Sequence, residues 1–180
     1  MELHKSYLAL LPAVKEVYTL ISLVPQSKHV VFDIDDTIIF DDYRGSMNHQ
    51  IVSLLKILQD RGYKIHLVTA RHADMRSETE RELRSKGIKY DTLALCPGAT
   101  RMAAEAPNGM AIIAQWKYSE REKHKPVLSI GDQWGDMVRL TQDEDIDLLD
   151  KKHNTKEFPW HIVKPNDGVT TYGLKLMAPK

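Results

Sequence analysis

Cysteine is almost absent from this chain: Cys96 stands alone among 180 residues, so no internal disulfide can form. It sits in the apolar run Leu93–Cys96 and reads as a buried structural thiol, which makes the cytoplasm the expected compartment. Net charge is missing too, with Lys+Arg and Asp+Glu both at 25. No overall field draws such a chain onto nucleic acid or an anionic membrane, and a polyanionic substrate is not favoured. Long hydrophobic runs are also lacking. The apolar stretch from Tyr7 to Val24 is interrupted by Lys15 and Glu16, and no small-residue cleavage site follows it. Neither a signal peptide nor a membrane span is read there. Repeats and low-complexity tracts are absent.

What is there is 180 residues with 42% hydrophobic content, enough for one core and too little for two ordinary ones. The expectation is a single domain over 1–180: an N-terminal helical extension at 1–26, a core at 28–150 and a C-terminal segment at 151–180. Val14, Val17, Tyr18 and Ile21 follow helical spacing before Pro25, giving an amphipathic helix for packing on the domain or pairing two chains as a homo-oligomer. From Lys28 the pattern alternates. His29–Phe32 reads as a buried strand, Ile51, Leu54, Leu55 and Leu58 as one helical face ending near Gly62, and Lys64–Thr69 as a second strand. Ser77 and Glu80 have capping-box spacing for a helix that stops at Gly87, and Tyr90–Cys96 reads as a third strand. Pro97–Gly109 reads as loop, Gly109–His124 as helix, Val127–Gly131 as a fourth strand, Trp134–Leu140 as a short helix and Ile146–Leu149 as a fifth strand. This alternation predicts a three-layer, Rossmann-like α/β domain with a mostly parallel sheet, and ligands outside the carboxyl ends of its strands.

Polar residues cluster where those strands end. Asp33-Ile34-Asp35-Asp36-Thr37 places two carboxylates at i and i+2, one suited to attack phosphorus and the other to handle protons. Thr69 offers a hydroxyl, and Ala70 a backbone N–H, to phosphoryl oxygens. Lys117 offers a point charge beside the phosphate, as do Lys123 and Lys125 in the same stretch. Gly131-Asp132-Gln133-Trp134-Gly135-Asp136 supplies two more carboxylates, a donor set that suits Mg2+ together with Asp33. Each motif alone is weak; their order along the chain is not.

Asp33-x-Asp35-x-Thr37, then Thr69, then Lys117, then Gly131-Asp132-x-x-x-Asp136 resembles the four motifs of the haloacid dehalogenase (HAD) superfamily. Thr69-Ala70-Arg71 followed by Arg76, Thr79, Leu83 and Gly87, together with the Gly131–Asp136 run, is similar to its acid phosphatase group, the class B and plant acid phosphatase kind. The resemblance implies a HAD-like fold and a phosphomonoesterase. In it Asp33 is the nucleophile, Asp35 the general acid and base, and Thr69, Ala70 and Lys117 the phosphate ligands. Mg2+ is held by Asp33, the Asp35 backbone carbonyl and Asp132, with Asp136 assisting. The short span between motifs leaves no room for a large cap, so the expected substrate is a phosphorylated small molecule, a nucleotide or a nucleic-acid end. His72, Arg44 and Arg101 are candidates to meet it. A phospho-receiver switch and a non-catalytic binding protein of similar fold are the readings from other classes.

Overall fold

The computed structural model describes residues 12–24, 27–42, 44–153, 160–165 and 171–176. Six strands form one sheet: β1 (His29–Phe32), β2 (Lys64–His72), β3 (Thr92–Cys96), β4 (Leu128–Gly131), β5 (Trp160–Val163) and β6 (Tyr172–Leu176). Their order is β3-β2-β1-β4-β6-β5, parallel throughout except for β5, which runs antiparallel to β6 at the edge. The helices are α1 (Pro12–Ser22), α2 (His49–Asp60), α3 (Arg76–Ser85), α4 (Gly98–Ala103), α5 (Gly109–Glu122) and α6 (Asp145–His153).

Strand alternation makes the layers. Val30 and Phe32 of β1, Ile65 and Leu67 of β2, Leu128 and Ile130 of β4 and Leu174 of β6 join α1, α2 and Leu83 of α3 in one core. The opposite face receives α5 and a second cluster built from Ala114, Trp134, Met137, Leu140 and Val163. Asn48 caps α2, its side-chain oxygen accepting from the Ile51 N–H, and Gly62 follows the helix at φ +84°, a conformation open to glycine. Val14, Val17 and Ile21 of α1 are fully buried in the first core, so the apolar face offered for pairing two chains is used within one.

Several sequence expectations need correction. The Ser77/Glu80 capping box is not formed: α3 begins at Arg76, inside which Ser77 already lies, and the turn before it is capped by the His72 ring accepting from the Asp74 N–H. Strand β3 starts at Thr92 rather than Tyr90, because the Asp91 carboxylate takes the Ile65 N–H at 2.8 Å in place of a ladder carbonyl. The Pro97–Gly109 loop contains α4, and only Trp134–Asp136 of the expected short helix is helical, as one 3₁₀ turn. Ile146–Leu149 is not a strand but part of α6, where Ile146 and Leu149 share a face against the second cluster. The strands that complete the sheet are instead β6 and β5, from the C-terminal segment.

Candidate active site

Asp33 leaves β1 at the centre of the sheet, its N–H still held by the Ile130 carbonyl of β4 at 2.9 Å. Asp132 and Asp136 follow the neighbouring strand β4. The three carboxylates are buried, and one oxygen from each lies within 4.8 Å of the others. Lys117, 6% exposed on α5, reaches between them: its Nζ donates to Asp33 Oδ1 at 3.0 Å and to Asp136 Oδ1 at 2.5 Å. The geometry thus selects Lys117. Lys123 instead pairs with Glu120 at an exposed position, and Lys125 lies beyond the helix at φ +46°.

The Asp132–Asp136 turn is tightly specified. The Gln133 N–H donates to Asp136 Oδ2 at 3.0 Å and the Gln133 amide to Asp132 Oδ2 at 3.2 Å. A Cβ at Gly131 would collide with the Asp136 carboxylate, and one at Gly135 would stand 2.6 Å from the Ala114 Cβ. Glycine is required at both places by close approach.

Three negative groups and one ammonium in a dry space leave the carboxylates short of compensation. Burial first, then Asp136, push the Asp33 carboxyl well above its usual range, with Lys117 opposing. The same two causes lift Asp132 to about 6. Burial works against the Lys117 ammonium, but Asp136 and Asp33 outweigh it and raise its pKa. The donor set is all oxygen, converging and repelling itself, and it fits a hard divalent cation such as Mg2+.

Asp35 stands apart from that group. Its carboxylate turns to Arg71, whose Nε donates at 3.2 and 3.0 Å to its two oxygens and whose Nη2 donates at 2.7 Å to Oδ1. Nη1 of Arg71 donates to Glu82 of α3 at 2.7 Å, and the bond to Asp35 leads the causes that raise the Arg71 pKa. Arg71 was in the motif Thr69-Ala70-Arg71, but sequence reading gave it no role. Strand β2 does not end at Thr69 as expected. It runs to His72, and its register against β3 breaks between Thr69 and His72. Such a bulge re-aims side chains, here Arg71 toward β1. Thr69 is fully buried, its Oγ1 accepting the Arg71 N–H at 3.1 Å, while the Ala70 carbonyl accepts from Arg101 at 2.8 Å.

Of the other candidates, Asp36 holds a turn at φ +56° and accepts the Asp41 N–H at 2.9 Å, and His72 serves as a cap. Two further cations were missed in sequence, Arg121 on α5 and Lys175 on β6. Both are buried, the latter with its Nζ 5.5 Å from the Trp134 ring. Helix position and late strand position alone do not distinguish them from surface charges. An apolar pocket of about 160 Å³, lined by Met110, Ile113, Leu140 and Ile146, adjoins Lys117 and Asp136. A larger cavity, about 610 Å³ around Lys64, opens at the opposite end of β2 and contains none of the site carboxylates.

A three-layer α/β sheet with an acidic turn after its central strand, and a lysine and a second acidic turn beside it, defines a HAD-like protein. The family model for HAD superfamily, subfamily IIIB (acid phosphatase) matches residues 44–158, and the chain belongs to that family. The match begins after Asp33–Thr37, which the structure brings to the same place. Among solved structures, the class C acid phosphatase from Bacillus anthracis is similar in fold, with TM-score 0.60 and 12% identity over 98% of this chain and 76% of that one. A chain of the Pnkp1/Rnl/Hen1 RNA repair complex aligns with TM-score 0.49 and 22% identity over 59% of this chain. The present chain spans about a third of it, 36%. No curated protein matches in sequence.

Proposed function

We propose that the chain is a phosphomonoester hydrolase working through a phospho-aspartyl intermediate on Asp33. The observation that carries this is the buried contact of Lys117 with Asp33 and Asp136 beside Asp132. An Asp33 oxygen attacks phosphorus as the ester oxygen departs, and Asp35 gives that oxygen its proton. Asp35 then takes a proton from the water that attacks the acyl phosphate, releasing inorganic phosphate and restoring both carboxyls. Arg71 aims the Asp35 carboxylate, whose own side chain is 42% exposed. Lys117, the Thr69 hydroxyl and the Ala70 N–H hold phosphoryl oxygens.

Asp33, Asp132 and Asp136 would hold Mg2+, with the Asp35 backbone carbonyl. When bound, the ion neutralises charge on the phosphoryl oxygens. The substrate is a phosphorylated molecule. None of the described helices is long and apolar enough to cross a membrane.

The test is phosphate release from an aryl phosphate and a panel of nucleotide, sugar and oligonucleotide phosphates, with Mg2+ or EDTA. The expected result is Mg2+-dependent turnover that Asp33→Asn abolishes. Folded, Mg2+-loaded protein that turns over none of them refutes the hydrolase; a phosphorylated form that persists for hours points to a receiver switch.

A further inference from the structure

Arg121 lies one helical turn beyond Lys117 on α5 and is 3% exposed. A guanidinium so buried normally sits on a carboxylate, yet none of the described residues forms an ion pair with it. Its Nη1 donates instead to the Gly135 carbonyl at 2.8 Å, and the Tyr118 ring lies 5.4 Å away. Burial lowers its pKa to about 10, with Asp136 the largest opposing influence.

The two cations of α5 therefore grip one short turn at successive points. Lys117 takes the carboxylate of Asp136, and Arg121 takes the carbonyl of the peptide that joins Gly135 to Asp136. That carbonyl fixes the plane of the peptide from which Asp136 projects. Gly135 lies so close to Ala114 of the same helix that no side chain fits between the turn and α5 at that point.

Resting on the hydrolase reading, we infer that Arg121 is a positioning residue: it locks the Asp132–Asp136 turn onto α5, so that the carboxylates meant for the cation and the lysine meant for the phosphate keep one fixed geometry. The alternative physical role has the opposite sign. A bare positive charge near a cation site repels the cation, so if Arg121 acted through charge alone its removal would tighten Mg2+ binding. If it positions ligands, its removal weakens binding by about 10- to 100-fold, the usual effect of losing a group that orients ligands from behind.

Calorimetric titration with Mg2+ and amide hydrogen exchange of residues 131–137, the latter without metal, decide between them for wild type, Arg121→Met and Arg121→Lys. The expected result is a weaker Mg2+ Kd and faster exchange in Arg121→Met, with Arg121→Lys between it and wild type. The accompanying kinetics should show kcat reduced and KM for the phosphoester unchanged. Unchanged or tighter Mg2+ binding with wild-type exchange overturns the inference. Should Arg121→Met not fold, Arg121→Lys decides by the same readouts. A wild type that binds no Mg2+ refutes the cation reading itself, and hydrogen exchange then judges the locking role separately.

Discussion

Asp132 is held against its own ionisation, and that has a measurable consequence. Its folded pKa, about 6, is above the ordinary carboxylate value of 3.8, so the folded state binds its proton more tightly than the unfolded state does. The stabilisation is present below pH 4 and is lost as pH rises through 6. Asp132→Asn removes that cost and should raise the melting temperature in EDTA at pH 8 by roughly 5 °C, the shift that about 2 kcal/mol gives in a chain of this size. Mg2+ should raise the melting temperature of wild type at pH 8 and leave Asp132→Asn unmoved. Thermal melts in the two conditions check both, and a variant less stable than wild type in EDTA would contradict them. At Arg71, replacement by Met frees the Asp35 carboxylate and should cost about 100-fold in kcat, the scale of misplaced general acid–base catalysis. The measurement is steady-state kinetics, and a loss confined to KM would place Arg71 on the substrate instead. Asp33, Asp132 and Asp136, which the fold brings together, could be picked out by short-range spacing, whereas Lys117 came only from motif order, with Lys123 and Lys125 open beside it. Arg71 and Arg121 were not legible, because what they do depends on a bulge and on a helix face that only the folded chain defines.

Among the elements, α5 and the turn after β4 form the unit on which the site depends. Gly131 shows how little slack it has. In Gly131→Ala the new methyl meets the Asp136 carboxylate, so Asp136 must swing away from Lys117. Activity should fall by at least about 100-fold while far-UV circular dichroism stays native, a pairing expected of a displaced ligand set. Full activity in that variant would show that the turn is looser than the structure has it. Among elements with strong periodicity, α2, β1 and β4 were legible within one or two residues; α1 was legible as a helix, and the part of the expected 1–26 extension before Pro12 lies outside the described residues. The Ile146–Leu149 run was not legible, since four apolar residues fit a strand or a helix face equally and Leu148 is left exposed. Strands β5 and β6 were missed because no helical or strand alternation leads into them; what makes them strands is pairing, of β6 with β4 and of β5 with β6 at the edge.

At the scale of the whole molecule, three imidazoles bind the far end of the sheet together. His29 Nδ1 and His66 Nε2 share a hydrogen bond of 2.8 Å, His66 Nδ1 meets Thr92 Oγ1 at 2.7 Å, and the His124 ring stacks on His66 at 3.6 Å. Burial, then His124 and His29, lower the His66 pKa to about 4, with Asp91 opposing; His124 is lowered chiefly by burial, with Glu120 opposing. A depressed histidine contributes stability that is full above the unfolded value of 6.5 and is lost as pH falls toward 4. The histidine contribution should therefore decline through that window, against the opposite trend of Asp33 and Asp132, so that wild type loses stability relative to His66→Gln as pH falls from 7 to 4 in denaturant titrations; parallel curves would contradict it. The alternation of strands and helices made the layered α/β plan legible, while the histidine stack, assembled from three separate elements, was not.

In the proposed reaction the phosphoryl group passes through Asp33. Single turnover with excess enzyme and Mg2+, quenched in acid and digested, tests it directly by mass spectrometry. A phosphoryl group on the peptide containing Asp33, formed before phosphate is released and absent in Asp33→Asn, is the predicted result. Phosphate release with no labelled peptide at any time, or turnover that survives Asp33→Asn, would contradict it.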